Sequence, residues 1–225
     1  MAKKILFLVP YPLHESPSQR FRFVQYFYLL QRHEYVYSVQ SFLTSDNWRI
    51  FFRQGNTLTK VSALTLGFVK RIIILFKSPM YDFVFIHREA TPIGPPIFEW
   101  ILAKVLRRKI IYDFDDAIWL TDKPSESRLL RLAKWRSKVS EICRWSYKVS
   151  CGNEYLCEYA RRLNFKVIYN PTTIDTENLH NPDLYRVTKK NPGKITIGWT
   201  GSHSTLKYLN EIEEVLCMIL HTHPE

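Results

Sequence analysis

The sequence has no C-x-x-C pair, no apolar run long enough to cross a membrane, and neither G-x-G-x-x-G nor a P-loop lysine. Each absence removes a class of protein. Its cysteines are Cys143, Cys151, Cys157 and Cys217, none beside a spaced histidine pair, so a structural zinc site is excluded. The apolar start Ile5–Val9 is too short for a secretory signal and ends at Pro10. The expectation is a cytoplasmic protein with reduced thiols. The segment Leu64–Phe76 is interrupted by Lys70-Arg71 and falls short of the roughly 20 apolar residues a span needs. It either packs against a sheet with its basic residues solvated or lies on a membrane surface. Acidic residues are also short: 21 against 32 lysines and arginines, for a net charge of +11. Such a chain favours an anionic partner: nucleic acid, phosphorylated sugars or an anionic membrane in peripheral contact. No nucleic-acid recognition motif accompanies the charge, so nucleic acid is not the expected partner.

What is present is a chain of 225 residues, 46% hydrophobic and 15% aromatic, enough for a sizeable core. Lys4–Pro10 is an apolar run without alternation, as in a strand buried on both faces. Ser16-Pro17-Ser18-Gln19 spells a capping box with proline at the first helical position. Phe21, Val24 and Tyr28, with Phe23, Phe27 and Leu30, give the helix that follows a broad apolar face. Further strands are expected at 35–43, 81–86, 109–112, 148–151, 166–169 and 194–198, and helices at 57–77, 97–106, 125–145, 153–162 and 204–220. The alternation implies an α/β fold: a mainly parallel, Rossmann-like sheet with helices on both faces. Residues 1–170 form one domain in this reading, 171–193 a proline-bearing linker, and 194–225 the start of a second domain.

Polar clusters follow the carboxyl ends of these strands, where such sheets bind ligands. Ser16, Ser18, Arg20 and Arg22 surround the first helix start, as anion or sugar ligands or as ordinary capping and surface residues. His87-Arg88-Glu89 ends the third strand, where an imidazole beside a carboxylate suits proton transfer or hydroxyl orientation, or simply closes the sheet. Asp113, Asp115 and Asp116 resemble a metal-holding D-x-D; so close together, they need cations, arginines or helix N-termini to offset their repulsion. Gly198-Trp199-Thr200-Gly201-Ser202 stands at a strand-to-helix turn, where backbone can approach a diphosphate or merely turn. Arg128, Arg131, Lys134 and Lys138 recur at helical spacing, with Arg136 and Arg144 nearby. Such a stripe is a solvated face or a contact for an anionic surface.

In order and together, K-I-L-F-L-V-P with Ser-x-Arg-x-Arg, Y-D-F-V-F-I-H-R-E, I-Y-D-F-D-D-A-I-W-L, C-G-N-E-Y-L, N-P-T-T-I-D and I-G-W-T-G-S-x-S-T-x-x-Y-L resemble bacterial-type family 4 glycosyltransferases of the GT-B fold. The resemblance implies two Rossmann-like domains facing across a cleft and transfer of a sugar with retention of configuration. The donor is a nucleotide-sugar, the acceptor a sugar or lipid-linked molecule of the cell envelope or a polysaccharide; neither cofactor nor metal is implied. It implies Gly198, Thr200, Gly201 and Ser202 near the donor diphosphate, and His87 near the reacting centre. Ser18, Arg20, Arg22, Arg88, Glu89, Asp113, Asp115 and Asp116 then fall on the acceptor side. Members of that family continue for well over a hundred residues beyond the point this chain reaches. The expectation is an incomplete donor half and little or no transfer by the 225-residue chain alone. A rival reading is a non-catalytic module that binds the acceptor or a membrane surface.

Overall fold

The computed structural model describes residues 2–51, 55–120, 133–177, 179–184, 195–201 and 205–223. They divide into two compact units, Met1–Asp175 and Thr176–Glu225.

In the first unit the apolar runs become β1 Lys4–Val9, β2 Val36–Ser41, β3 Phe83–His87, β4 Lys109–Phe114, β5 Lys148–Cys151 and β6 Val167–Tyr169. Among the described residues these six form one sheet, ordered β2-β1-β3-β4-β5-β6. Every adjacent pair is parallel. The fold is α/β and Rossmann-like. The strand order reverses between β1 and β3, with β2 added on one side and β4 to β6 on the other, so the crevice of such a sheet lies at their carboxyl ends.

Strand alternation sorts the core into two layers. Ile5, Phe7 and Val9 face Phe23, Phe27 and Leu30 from the first helical segment. Leu6, Leu8, Val84, Ile86, Ile110 and Tyr112 face the opposite layer. That layer contains α4 Thr57–Lys77, α5 Ile97–Trp100 with its π-helical continuation Ile101–Val105, α6 Lys138–Trp145 and α7 Glu154–Arg161. Cys143, Cys151 and Cys157 are buried there, and burial pushes the Cys143 thiol up to about 12, so it behaves as a small apolar group.

Several elements depart from the sequence reading. The first helix is not continuous: α1 Pro17–Arg22 ends at Phe23, a 3₁₀ turn spans Val24–Tyr26, and α2 Phe27–Arg32 resumes. Ser16 stands at the N-cap but its side chain caps nothing. Gln19 turns instead to the Tyr11 and Pro12 carbonyls and accepts from the Tyr11 N–H, pinning the β1 loop. Asn153 does cap α7, accepting from the Leu156 N–H at 2.9 Å. The short helix α3 Ser45–Phe51 has no counterpart in the sequence reading. Of the expected basic helix over 125–145, residues 125–132 lie outside the described residues. Trp135, at φ 47°, precedes α6, so no single regular helix runs through to 145.

Gly67 sits where α4 crosses Phe42: a Cβ there would lie 2.5 Å from ring atoms of that buried phenylalanine. Gly67→Ala gains about 1 kcal/mol of helix propensity. It also overpacks a filled site at a cost of about 1–3 kcal/mol. We expect a lower melting temperature, restored by Phe42→Leu in the same chain; a higher one for the single variant would show that the ring yields freely.

The second unit contains a 3₁₀ turn Pro182–Leu184 and two helices, α8 Leu206–Asn210 and α9 Glu213–Thr222, in place of one over 204–220. Residues 195–198 form no strand and are exposed. Among the described residues of this unit no other strand lies beside them, and an extended segment without a ladder partner leaves its backbone to water.

Candidate functional site

Parallel pairing sets one row of polar side chains across the carboxyl end of the sheet. His87 is in register with Asp113, and Asp113 with Ser150. All three side chains face the α1 layer, and α1 supplies the groups that meet them. Arg22 directs Nε to Asp113 Oδ2 at 3.3 Å and Nη2 to Asp113 Oδ1. Its Nη2 also reaches Ser150 Oγ at 3.3 Å, and its Nη1 donates to the Asn170 carbonyl. The Ser150 hydroxyl donates to Asp113 Oδ1 at 2.7 Å. The Arg22 and Asp113 side chains are fully buried. Burial alone would raise the Asp113 carboxyl, but the His87 bond and the Arg22 guanidinium outweigh it and hold it below the ordinary carboxylate value.

His87 is also fully buried, with Nδ1 2.9 Å from Asp113 Oδ2 and Nε2 2.9 Å from Ser18 Oγ. The order Ser18–His87–Asp113 has the connectivity of a hydrolase relay. One contact sets it apart: Ser18 Oγ donates to Asp115 Oδ2 at 2.5 Å, which directs the hydroxyl proton away from the imidazole. With both ring nitrogens committed and no exposed edge, His87 orients Ser18 and has no direct contact with solvent.

Arg88 is the strained residue of the site, at φ 62°. Its N–H donates to the Asp113 carbonyl at 2.7 Å and its own carbonyl accepts from Tyr112 Oη at 2.7 Å, which fixes the turn from both sides. The side chain therefore folds back onto Asp115, with Nε at 3.1 Å and Nη2 at 2.9 Å, and onto Asp116. Burial opposes ionisation of Asp115, yet the Arg88 charge and the Ser18 hydroxyl bring its carboxyl below the usual range. The arginines thus supply the offset that three close aspartates need. Among the described residues no group of His, Cys, Asp and Glu is arranged to hold a metal ion. Gly152 lets β5 end against this loop, since a Cβ there would meet Asp115 Cα at 3.0 Å.

Beside Arg88 opens a pocket of about 210 Å³ lined by Tyr11, Arg88, Glu89, Lys134 and Lys138, among others. Lys138, expected on a solvated stripe, is buried: its Nζ meets Glu89 Oε2 at 2.7 Å and the Thr91 carbonyl at 2.8 Å. Arg136 Nη1 donates to the Leu120 carbonyl at 2.6 Å. Burial raises the Tyr11 hydroxyl above its ordinary value, with the Arg88 charge opposing.

Of the residues the sequence singled out, Ser18, Arg22, His87, Arg88, Asp113, Asp115 and Asp116 form one connected network, and Glu89 flanks it. Arg20 does not join: its guanidinium lies 4.9 Å from the Phe21 ring centroid and its Nε is buried without a hydrogen-bond partner among the described residues. Gly198, Thr200 and Gly201 belong to an exposed irregular segment of the second unit. Ser202, Arg128 and Arg131 lie outside the described residues. The sequence reading missed Tyr11, Ser150 and Asn170. Ser150 carried a signal as a hydroxyl between Val149 and Cys151, and Asn170 as the first residue of N-P-T-T-I-D, but neither points to the site by itself.

The chain matches no protein-family model and no curated protein.

Proposed function

We propose that the first unit is the acceptor-side domain of a retaining glycosyltransferase of the GT-B type. It would position a sugar or lipid-linked acceptor of the cell envelope or a polysaccharide for attack on a nucleotide-sugar, on the cytoplasmic side of the membrane. The observation that carries this reading is the strained, doubly fixed Arg88 at the switch point of a parallel sheet. It stands between the buried Asp113–His87–Ser18 chain and the open pocket beside Tyr11. Such a network gives rigid polar groups for orienting hydroxyls, which is how positioning lowers a transfer barrier. In this reading Arg88, Glu89 and Ser18 face the acceptor, Arg22 and Asp113 lock them in place, and His87 is a positioning residue. The segment Gly198–Ser202 takes the donor diphosphate, as the family resemblance implies.

Thermal-shift titration with saccharides and phosphorylated saccharides tests the acceptor reading. A ligand at ten times its Kd stabilises the folded state by about 1.4 kcal/mol. For a domain of this size that is a rise of roughly 3–6 °C. We expect a saturable rise with one saccharide class that Arg88→Ala removes. No rise with any saccharide would end the acceptor reading. A further rise with a UDP-, GDP- or ADP-sugar separates a transferase from a module that binds acceptor only.

A further inference from the structure

The helix α4 buries one face and leaves an apolar one outside. Ala63, Gly67, Arg71 and Ile74 are buried. On the opposite side Leu58, Val61, Val69, Ile72, Phe76 and the following Met80 are exposed, Leu58 by 87% and Phe76 by 83%. Their spacing traces a stripe along the helix, interrupted by the exposed Thr65. An ordinary surface helix carries charge there, and an exposed contiguous apolar patch marks an interaction surface.

The charge pattern selects the partner. From Gly55 to Met80 there is no aspartate or glutamate, while Lys60, Lys70, Arg71 and Lys77 are present. Arg71 points inward to the Val9, Gln40 and Ala90 carbonyls. At 3.6 residues per turn, Lys70 and Lys77 stand about 80–120° round from the line through Leu58, Val69 and Phe76. That is the flank from which lysines reach lipid phosphates while the apolar stripe sinks between acyl chains. The exposed apolar residues of α9 lack this pattern, because that helix opens on Glu213 and Glu214. Among the described residues no helix is long and apolar enough to cross a membrane, so α4 would lie on one.

We infer that the outward face of α4 docks on an anionic lipid surface. The inference goes beyond the proposed sugar transfer and stands or falls without it. Co-sedimentation of the full chain with phosphatidylcholine vesicles, and with vesicles also containing phosphatidylglycerol, tests it. The chain should bind the mixed vesicles and be weakened by salt. The exposed-face variant Val69→Ser/Ile72→Ser/Phe76→Ser should lose about tenfold or more in binding at an unchanged melting temperature. Lys70→Gln/Lys77→Gln should lose the preference for the anionic mixture. If the serine variant melts lower, Leu58→Ser/Val61→Ser, at the other end of the stripe, gives the same reading. Absence of wild-type binding at low salt, or equal binding by the serine variants, overturns the inference. So does a lipid-free dimer in sedimentation velocity that the serine variants abolish, since the face would then cover a second copy.

Discussion

Asp113→Asn should cost the first unit about 3–5 kcal/mol, a large share of the 5–15 kcal/mol by which domains are stable. The substitution keeps shape and removes charge. It leaves the Arg22 guanidinium buried beside a neutral amide, with His87 Nδ1 facing a weaker acceptor. Breaking one partner of a buried pair is far costlier than replacing both, so Arg22→Met in the Asn background should recover much of the loss. Urea denaturation of the two single variants and the double variant measures the coupling. Additive losses would show that the pair is not a unit. Acid adds a second readout. The Asp113 carboxyl is depressed in the folded state, so its stabilisation is complete above its unfolded value of about 4. It is lost as the pH falls through the lower folded value. Asp115 contributes to the same limb. The Asn variant should therefore lose stability less steeply on acidification than the wild type, and parallel acid limbs would contradict the assignment.

Arg71→Ala is the other large effect expected, again about 3–5 kcal/mol. Arg71 is fully buried on the inner face of α4. Its guanidinium gathers the ends of β1 and β2 and the loop after β3: Nη2 to Val9 O at 2.8 Å, Nη1 to Gln40 O at 3.0 Å, and Nε to Ala90 O at 2.7 Å. Burial pulls its pKa down to about 9, with the Glu99 charge opposing, and the group stays cationic at neutral pH. Alanine leaves a cavity and takes the guanidinium donors from three carbonyls, of which Val9 O keeps the Phe42 N–H. Arg71→Met fills most of the volume and restores no donor, so it should recover the cavity part alone. Full recovery by methionine would mean that the hydrogen bonds contribute nothing. Because Ala90 precedes Thr91, which anchors Lys138, amide hydrogen exchange in residues 88–91 should quicken in both variants.

The missed elements have identifiable causes. The capping-box spelling at Ser16–Gln19 failed because Gln19 has a stronger tertiary use, closing the β1 loop. Gln25 fills its own local need with the Phe21 carbonyl at 2.7 Å, and α1 breaks just before it. Lys138 reads as one of a helical series of basic residues, and nothing in that series says which member turns inward to Glu89. The expected strand at 194–198 had the right composition, but a strand exists only through its neighbours.

By itself the sequence determined the α/β class, every helix of the first unit but α3 at least in part, all six strands of that unit and most of the residues from which its polar site is built. Apolar runs of strand length and helical periodicity are local signals, and polar residues at strand ends are legible wherever the ends are. Only the tertiary structure decided that His87, Asp113 and Ser150 share one row, that Arg22 completes it from α1, and that Arg88 turns back on Asp115. Those relations depend on parallel register and on a helix laid across the sheet. Residues scores of positions apart meet there through backbone pairing that no local pattern encodes.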